Sequence, residues 1–517
     1  MSDGLSSKRR AVQWSGLLLG PLVAFAVYQL LPEQYGIHNG ESTAFTPAGR
    51  ATLAVMAWMA TWWLTEAIDV SATALLPIAA FPLLGILPIS DTAAPYATDL
   101  IFLFMGGFIL ALSMQRWGLD RRIALIALRF VGTKPANMIG GFMLVTAVLS
   151  MWVSNTATAA MMLPIAVSVI DLVLKKHTGA PLSGKGGAMP EPGEKGRNFA
   201  LSLMLGIAYA ASIGGIATII GSPPNGILVQ FLNIQYGREI SFAQWMMIGG
   251  PLVIVFLPIA WALITWVLYP IKIQRIEGGR ELIDREFAAL GPMKRGEWIT
   301  MIVFLCTAML WITRPLLAQI TLGEEGWRPF AGLSDAGIAI IAAMALFVIP
   351  IEPRKMVFTM NWPTAARLPW GILILFGGGL SLAHAVKVNG VAEFLGAQSS
   401  ALYGMPPIVL VLAVTAGVIF LTELTSNTAT TATLVPVLAG LAPGLGVHPD
   451  LLIFPATIAA SCAFMMPVAT PPNAIVFGTG YITIPQMAKA GFWLNLVGIA
   501  LVTMVLYFII IPLLGAI

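Results

Sequence analysis

Long apolar segments without a charged residue limit what this chain can fold into. Residues 14–31, 246–269, 298–312 and 492–514 are of this kind, and most of them approach the roughly 20 residues that a helix needs to cross a bilayer. Only 10% of the 517 residues are charged and 58% are apolar, whereas about a quarter of the residues in a soluble domain are charged. The sequence therefore predicts an all-α polytopic membrane protein.

Two further apolar segments differ from simple spans because each carries Ser-Asn-Thr near its middle. Ser-Asn-Thr flanked by Ala is a poor solvated loop, so a re-entrant hairpin with the polar triplet at its tip is favoured over two full spans. We predict such hairpins at 138–174 and 407–443. Besides them we predict about eleven transmembrane helices, at 14–31, 51–66, 70–86, 100–115, 199–231 (broken), 246–269, 298–314, 336–351, 370–387, 451–481 (broken) and 492–514.

The basic residues are distributed unevenly between the two sides of these spans. On one side lie 23 of the 28 Lys and Arg residues, and the exceptions are Arg50, Arg238, Arg314, Arg328 and Lys387. By the positive-inside rule the N-terminus is cytoplasmic and the C-terminus lies outside. We therefore interpret the net charge of +4 as a topology signal rather than a nucleic-acid surface. We expect a multi-pass protein of the plasma (bacterial inner) membrane, with its first helix retained and not cleaved as a signal peptide.

The two halves of the chain share motifs at a constant spacing. Phe-Met-Gly-Gly at 104–107 corresponds to Phe-Gly-Gly-Gly at 376–379, and Ser-Asn-Thr at 154–156 corresponds to Ser-Asn-Thr at 426–428. Both pairs are 272 residues apart. This regularity predicts an internal repeat.

A second shared motif ends in Pro-Pro-Asn. It occupies 221–225 as Gly-Ser-Pro-Pro-Asn and 469–473 as Ala-Thr-Pro-Pro-Asn, 248 residues apart. The spacing is shorter by 24 residues, which matches the polar stretch 175–198 of the first half. We predict that this stretch is a flexible cytoplasmic loop insertion, because it is rich in Gly, Pro and Lys.

These spacings give a domain organisation. We predict an N-terminal helix and external loop at 1–50, a first repeat at 51–270, and a second repeat at 298–517. The charged segment 271–297 between them is predicted to be an amphipathic cytoplasmic connector lying along the membrane. Each repeat has five predicted spans and the connector starts and ends inside, so the second copy is inverted. Inverted repeats with broken helices are typical of transporters, with the binding site where the repeats meet.

The four shared polar motifs offer neutral oxygen atoms and no basic residue. Pro223-Pro224 and Pro471-Pro472 disfavour continuous helix and free backbone carbonyls. Such carbonyls, with Ser, Thr and Asn oxygens, suit Na⁺, while helix N-termini attract an anion. A dianion held without Lys or Arg needs bound cations, which predicts Na⁺ coupling. The alternative is that these polar residues only bond neighbouring helices.

Other polar residues carry weaker signals. Glu423 lies in an apolar context three residues before Ser426, and it is either functional or a hydrogen-bonding part of the scaffold. The acids Glu66, Asp69 and Asp99 lie near predicted span ends and are interpreted as solvated at the interface. His384 is interpreted as structural.

The motifs resemble those of the divalent anion:sodium symporter (DASS) family. Besides the two Ser-Asn-Thr motifs, the resemblance rests on Trp-Trp-Leu-Thr-Glu-Ala at 62–67, Ala-Leu-Leu-Pro at 74–77 and the stretch 461–475. It implies a homodimer whose transport domain moves against a scaffold domain in an elevator motion. It also implies anion transport by Na⁺ symport, with a di- or tricarboxylate such as succinate, malate, fumarate or 2-oxoglutarate as substrate.

The resemblance also implies roles for individual residues. The first sodium site uses Ser150, Ser154, Asn155 and the carbonyl of Gly221. The second uses Thr422, Thr425, Asn427 and the carbonyl of Ala469. The implied substrate-binding residues are Asn155, Thr156, Ser222, Ser426, Asn427, Thr428, Thr470 and Pro471. Ser222 stands where many members have Thr, which keeps the hydroxyl and widens the pocket slightly.

Four alternatives stay open at this stage. A sodium-independent dicarboxylate exchanger would share the fold, and a sulfate carrier would share the motifs. A channel is the third, since channels also contain re-entrant hairpins. An enzyme is the weakest, because the sequence has no His-Glu-x-x-His, no Gly-x-Ser-x-Gly and no evident pair of intramembrane catalytic Asp residues. We predict no catalytic residue and no cofactor other than Na⁺ as the coupling ion.

Overall fold

The computed structural model describes residues 2–38, 41–178, 196–276, 278–321, 327–399, 403–510 and 512. Over these residues the chain is mainly helical, as expected in lipid, where a helix satisfies its own backbone groups. The helices before the connector are α1 (Ser2–Leu30), α2 (Pro47–Thr65), α3 (Val70–Thr73), α4 (Leu76–Leu83), α5 (Ile89–Ala93), α6 (Asp99–Trp117), α7 (Leu119–Arg129), α8 (Pro135–Ser150), α9 (Asn155–Thr178), α10 (Arg197–Gly214), α11 (Pro223–Tyr236) and α12 (Phe242–Ala262).

The connector contributes one helix, and the second half continues the series. These helices are α13 (Gly279–Ala289), α14 (Arg295–Leu317), α15 (Asp335–Val348), α16 (Trp362–Ala365), α17 (Trp370–Val388), α18 (Val391–Ser399), α19 (Pro407–Thr422), α20 (Asn427–Leu445), α21 (Asp450–Ala460), α22 (Pro471–Phe477) and α23 (Ile484–Val505). Short 3₁₀ turns occupy Ala94–Ala97, Gly215–Ala217 and Pro353–Lys355, and π-helical turns extend α12 and α23 at Leu263–Leu268 and Leu506–Ile510.

Two small antiparallel sheets lie between helices. Strands β1 (Gln34–His38) and β2 (Glu41–Ala44) pair within the segment predicted as an external loop. Strands β3 (Pro350–Glu352) and β4 (Val357–Phe358) pair after α15. Neither sheet is large enough to form a layer of its own, so the architecture is set by helix packing.

Nine helices of the described chain are long and apolar enough to cross a membrane. Seven of them coincide with predicted spans, and two are the second arms of the predicted hairpins. The other four predicted spans fall outside the nine. One is 51–66, where α2 has 19 residues but is not among the nine. The others are 70–86, 336–351 and 451–481, where the helices are shorter than a full crossing. The chain is thus a multi-pass helical membrane protein.

Burial separates central helices from peripheral ones. The apolar window of α10 is wholly buried, whereas those of α1 and α14 are only 17% and 22% buried. Helix α10 packs against α8, α9, α12 and α22. The centre of the protein is therefore built around α10, which leads directly into the first Pro-Pro-Asn motif.

Corresponding helices of the two halves have corresponding boundaries. Helices α8 and α19 begin at Pro135 and Pro407, and α9 and α20 begin at Asn155 and Asn427. Phe104 of α6 and Phe376 of α17, which also correspond, pack edge to face with ring centroids 4.7 Å apart. The two halves therefore meet at equivalent residues in the core.

The predicted insertion 175–198 lies mostly outside the described residues. Helix α9 continues through Thr178, four residues further than the predicted hairpin, and α10 begins at Arg197. Residues 179–195 are not among those described. The second arm of the first hairpin, α9, is thus longer than the apolar pattern indicated, because the helix continues into a polar sequence.

The connector is partly helical and is bound to α7. Arg121 and Arg129 of α7 form ion pairs with Glu286 and Asp284 of α13 at 2.8 and 2.7 Å. A buried pair, Arg122 Nε to Glu297 Oε1 at 2.6 Å, joins α7 to the start of α14. These contacts tie the connector between the halves to the helix that precedes the first hairpin.

Candidate substrate and cation site

The turns of the two hairpins place polar residues at helix N-termini. Residues 151–154 separate α8 from α9, and residues 423–426 separate α19 from α20. The first residue of each following helix is therefore Asn155 or Asn427. The first N–H groups of a helix lack intrahelical partners and carry partial positive charge, so both turns present donors suited to an anion.

Two helix breaks have the same backbone conformation. Ser222 and Thr470, the residues before each Pro-Pro pair, are extended, with φ −139° in both and ψ of 132° and 148°. Extended backbone is what a residue before proline adopts. The chain therefore leaves helix geometry at both Pro-Pro motifs, and carbonyls become free to bind other groups.

A buried asparagine closes each break in the same way. The Asn225 amide donates to the carbonyls of Gly215 at 2.9 Å and Thr218 at 2.8 Å. The Asn473 amide donates to the carbonyls of Ala463 at 3.2 Å and Met466 at 3.1 Å. The acceptors are 248 residues apart, as are the two donors. The asparagines thus replace helical hydrogen bonds and fix the path of each break.

The hairpin turns and the breaks surround one cavity of about 330 Å³. All eight residues for which a substrate contact was predicted line it. Val468, which is 70% exposed, lies on the wall, so the cavity is open. The lining residues are Glu66, Val70, Phe108, Ser154, Asn155, Thr156, Ile220, Gly221, Ser222, Pro223, Pro224, Ile372, Ser426, Asn427, Thr428, Val468, Ala469, Thr470, Pro471 and Pro472.

None of the described residues that line this cavity is Lys, Arg or His. Glu66 is the one ionisable residue among the described residues that line it. An anion bound here has helix N-termini, hydroxyls and amides as partners, but no fixed positive charge. A dianion would therefore require mobile cations for charge balance.

The first predicted cation set contains several oxygens within contact distance. With its amide oriented to donate, Asn155 Nδ2 lies 2.5 Å from Ser150 Oγ, 3.0 Å from the Ala211 carbonyl oxygen and 3.2 Å from the Gly221 carbonyl oxygen. Ser150 Oγ also lies 2.8 Å from Ala211 O. The oxygens of Ser150, Ala211 and Gly221 therefore converge on the Asn155 amide. Hydroxyl and carbonyl oxygens of this kind are suited to binding Na⁺.

The remaining member of the first set, Ser154, lies at the hairpin turn. It lines the cavity, and its hydroxyl accepts a hydrogen bond from Ala157 N at 3.3 Å. The structure also adds the Ala211 carbonyl to this set, which the motifs did not indicate.

The second predicted cation set repeats this pattern with different side chains. Thr422 Oγ1 lies 2.7 Å from Asn427 Oδ1 and 3.2 Å from the Ala460 carbonyl. Ala469 lines the cavity beside them. The hydroxyl of Thr425 is instead directed into the hairpin, where it contacts the Leu421 carbonyl at 3.0 Å and Thr430 Oγ1 at 2.7 Å.

Several cavity residues had no site signal in the sequence. Glu66 was interpreted as interfacial, but it ends α2 in a left-handed conformation, φ 46° and ψ 41°, and lines the cavity. Phe108, Ile372 and Val468 are apolar and resemble any other core residue. The one available signal was the position of Glu66 at the end of an apolar helix. His384 is half-buried in α17 and is not among the lining residues.

Comparisons with known proteins give the family. The model for the sodium:sulfate symporter transmembrane region matches residues 12–514. A sodium-dependent dicarboxylate transporter, SdcS, of Staphylococcus saprophyticus is 43% identical over 505 residues, covering 97% of this chain and 92% of the relative. The transporter of the same name from Staphylococcus aureus is 41% identical over 506 residues, covering 98% and 92%.

Solved structures agree at the level of the fold. The YdaH transporter of Alcanivorax borkumensis superposes with a TM-score of 0.57 at 14% identity, covering 97% of this chain and 98% of that one. MtrF of Neisseria gonorrhoeae gives 0.55 at 14% identity, covering 96% and 94%. With the family match over nearly its whole length, the chain belongs to the sodium:sulfate symporter family, that is, the divalent anion:sodium symporters, and is a membrane transporter rather than an enzyme.

Proposed function

We propose that this chain is a secondary active transporter that carries di- and tricarboxylates such as succinate, malate, fumarate and 2-oxoglutarate by Na⁺ symport. The observation that carries the proposal is the cavity wall, which combines donors for carboxylates with no described Lys, Arg or His. Anion binding then depends on co-bound Na⁺. The names of the relatives, sodium-dependent dicarboxylate transporters, support the same reading.

The arrangement of the cavity favours a substrate with two carboxylates. One part of the wall carries Asn155, Thr156 and Ser222, and the other carries the corresponding residues of the second half. Each part contributes a helix N-terminus and hydroxyl groups. A substrate with two separated carboxylates can accept hydrogen bonds from both parts of the wall at once, whereas a compact anion such as sulfate can accept them from only one part.

In this proposal each half of the chain also holds one Na⁺. The oxygens around Asn155 bind the first ion and those around Asn427 bind the second. Each ion lies behind a hairpin tip, where it neutralises the nearby substrate carboxylate. Unwound backbone carbonyls and hydroxyls at helix breaks are the usual Na⁺ ligands of such carriers.

The transport cycle is proposed to be an elevator motion of an inverted-repeat homodimer in the bacterial inner membrane. With the N-terminus cytoplasmic and the C-terminus outside, Glu66, Val70 and Ile372 belong to the cytoplasmic ends of their spans. The open cavity would then face the cytoplasm. In the outward-facing state the hairpins and breaks would move together, because α22 packs against α9 and α10 while α11 packs against α20 and α21.

The test is uptake of labelled succinate into proteoliposomes of the purified protein, with an inward Na⁺ gradient or with K⁺ in its place. We expect uptake with Na⁺ only, and its loss in Asn155→Ala and Asn427→Ala. Asn198→Ala, whose side chain is bound to the Pro270 carbonyl away from the cavity, is the control. Sodium-independent uptake that requires internal dicarboxylate would instead make the protein an exchanger.

A further inference from the structure

A buried pair of serine hydroxyls joins the two halves of the chain beside the cavity. Ser461 is the first residue after α21, at the start of the second helix break, and is 2% exposed. Its hydroxyl oxygen lies 3.0 Å from that of Ser222, which is 3% exposed and lines the cavity. Ser461 itself is not among the described lining residues. A residue of the second half therefore contacts a cavity hydroxyl of the first half from behind.

The direction of this hydrogen bond follows from the partners that each hydroxyl has. A bond between two hydroxyls uses one of their two protons, and the other proton needs an acceptor elsewhere. Among the described residues the Ser461 hydroxyl contacts no acceptor other than Ser222. If Ser222 donated, the buried Ser461 proton would have no acceptor, which is unfavourable. Ser461 therefore donates to Ser222, and the Ser222 proton is available to a group in the cavity.

The corresponding hydroxyl of the second half, that of Thr470, obtains its donor locally. Its oxygen accepts from Asn473 N at 3.3 Å, which leaves its proton available to the cavity as well. Within α11, all of whose residues are described, the Ser222 side chain makes no such cap, and Asn225 N bonds to the Ser222 carbonyl at 3.1 Å instead. The first half therefore takes from the second half the donor that the second half supplies for itself.

The fold of the break does not itself require a hydroxyl at position 461. The residue 248 positions earlier, at the equivalent place before the first break, is Ile213, and it is fully buried in α10. An isoleucine offers no donor, yet the first break has the same path as the second. The hydroxyl of Ser461 therefore has its contact with Ser222 as its structural consequence.

Such a contact favours a ligand that accepts hydrogen bonds. A carboxylate accepts and does not donate, so it is complementary to a hydroxyl whose proton is directed into the cavity. Because the Ser222 oxygen is already bonded to a donor, its proton is oriented before the ligand arrives, and less entropy is lost on binding. A chain of two hydrogen bonds also polarises the outer hydroxyl and strengthens its bond to the ligand.

We propose that Ser461 is a positioning residue that orients the Ser222 hydroxyl as a donor to one carboxylate of the substrate. The proposal rests on the dicarboxylate transport proposed above. Ser461 does not touch the substrate and acts through Ser222 alone. The part of the wall that belongs to the first half therefore depends on a side chain of the second half for its affinity.

The test measures uptake of labelled succinate by Ser461→Ala and wild-type proteoliposomes at saturating Na⁺. We expect the KM for succinate to rise by about fivefold, as for the loss of one hydrogen bond, with the maximal rate unchanged. Thr457→Val is the matched control, because Thr457 lies one turn earlier in α21 and its buried hydroxyl bonds to the Ile453 carbonyl at 2.8 Å. This variant also loses a buried hydroxyl, and its KM should stay at the wild-type value.

A double-mutant cycle tests whether Ser461 acts through Ser222. Ser222→Ala removes the donor itself and should raise the KM at least as much as Ser461→Ala does. In the Ser222→Ala background, adding Ser461→Ala should change the KM by less than about twofold, because residues that act through one contact are not additive. Succinate titration of the detergent-solubilised variants, followed by their unfolding temperatures, should rank them in the same order.

Two results would overturn the inference. One is a wild-type KM in Ser461→Ala, and the other is the same rise in KM whether or not Ser222 is present, which would indicate a general change of the break. If Ser461→Ala does not fold, Ser461→Cys replaces it: a thiol is a weak donor, so a raised KM supports the proposal and a wild-type KM contradicts it. Failure of the proposed function is distinguishable from both, because the wild-type protein itself would then show no Na⁺-dependent succinate uptake.

Discussion

Gly215 lies where the first helix break meets the turn of the first hairpin. A Cβ atom at this position would lie 2.7 Å from the terminal amide group of Asn155 and 2.9 Å from the Gly221 carbonyl oxygen. Both residues belong to the first proposed cation set. Overpacking of this kind costs about 1–3 kcal/mol, so we expect Gly215→Ala to raise the half-saturating Na⁺ concentration for succinate uptake by about tenfold or more.

The control for this change is Gly250→Ala on α12, where no atom lies within 4 Å of the added methyl group. It should leave Na⁺ dependence and protein yield unchanged. Wild-type Na⁺ affinity in Gly215→Ala would mean that no ion binds between Asn155 and Gly221. The corresponding residue of the second half, Ala463, already has a methyl group, so the second ion has a different space around it.

At the residue scale, the sequence motifs predicted which polar side chains line the cavity, but not which backbone carbonyls lie near them. The paired motifs indicated Asn155, Thr156 and their counterparts, and all of these line one cavity. The Ala211 and Ala460 carbonyls carry no signal, because any residue offers a carbonyl and only its neighbours decide what it contacts. The same holds for Gly215, whose role lies in the space that it leaves.

At the scale of the elements, a buried ion pair joins α7 to the end of the connector. Arg122 and Glu297 have side chains only 7% and 4% exposed, and Arg122 also donates to the Gly291 carbonyl at 3.1 Å. Removal of one partner leaves a buried charge without compensation, at about 3–5 kcal/mol. We expect Arg122→Leu to lower the unfolding temperature strongly and to reduce the amount of folded protein.

Arg129→Leu provides the matched control, because its pair with Asp284 is 45% and 41% exposed. Exposed pairs contribute about 0–1 kcal/mol, so this variant should unfold close to the wild-type temperature. Thermal unfolding of both variants in the same detergent gives the comparison. An equally stable Arg122→Leu would mean that α7 and the connector are held by apolar contacts instead.

The boundaries of the elements could be predicted where the sequence pattern has a known physical cause. Pro223 and Pro471 begin α11 and α22, as expected from the conformations that proline allows. The small sheets and the short helices α5 and α16 had no such signal, since a few residues of strand or helix depend on their surroundings. The end of α9 was missed because the apolar pattern stops before the helix does.

The whole molecule places corresponding parts of its two halves around one space. The Phe104–Phe376 contact joins the two halves in the core, and Ser222 and Thr470, at the two helix breaks, line that space. Close helix approaches support the arrangement: a Cβ at Gly106 would lie 2.5 Å from the Ala339 carbonyl oxygen, and one at Gly378 would lie 2.3 Å from that of Ala74. Family membership was predictable from motifs, but the relative motion of these parts was not, because one sequence pattern serves every state of a carrier.

Alternating access gives the last prediction, because a carrier exposes its cavity to one side at a time and a channel exposes it to both. Val468→Cys, with Cys306→Ser to remove the exposed native thiol, places a reactive group on the cavity wall. We expect a membrane-impermeant maleimide to modify it from the cytoplasmic side, and Na⁺ with succinate to slow the reaction because the substrate fills the cavity. Arg285→Cys on the connector should react from the same side at a rate that succinate does not change. Rapid modification of Val468→Cys from both sides of sealed vesicles would indicate a continuous pore, and the elevator proposal would then fail while the fold and family would stand.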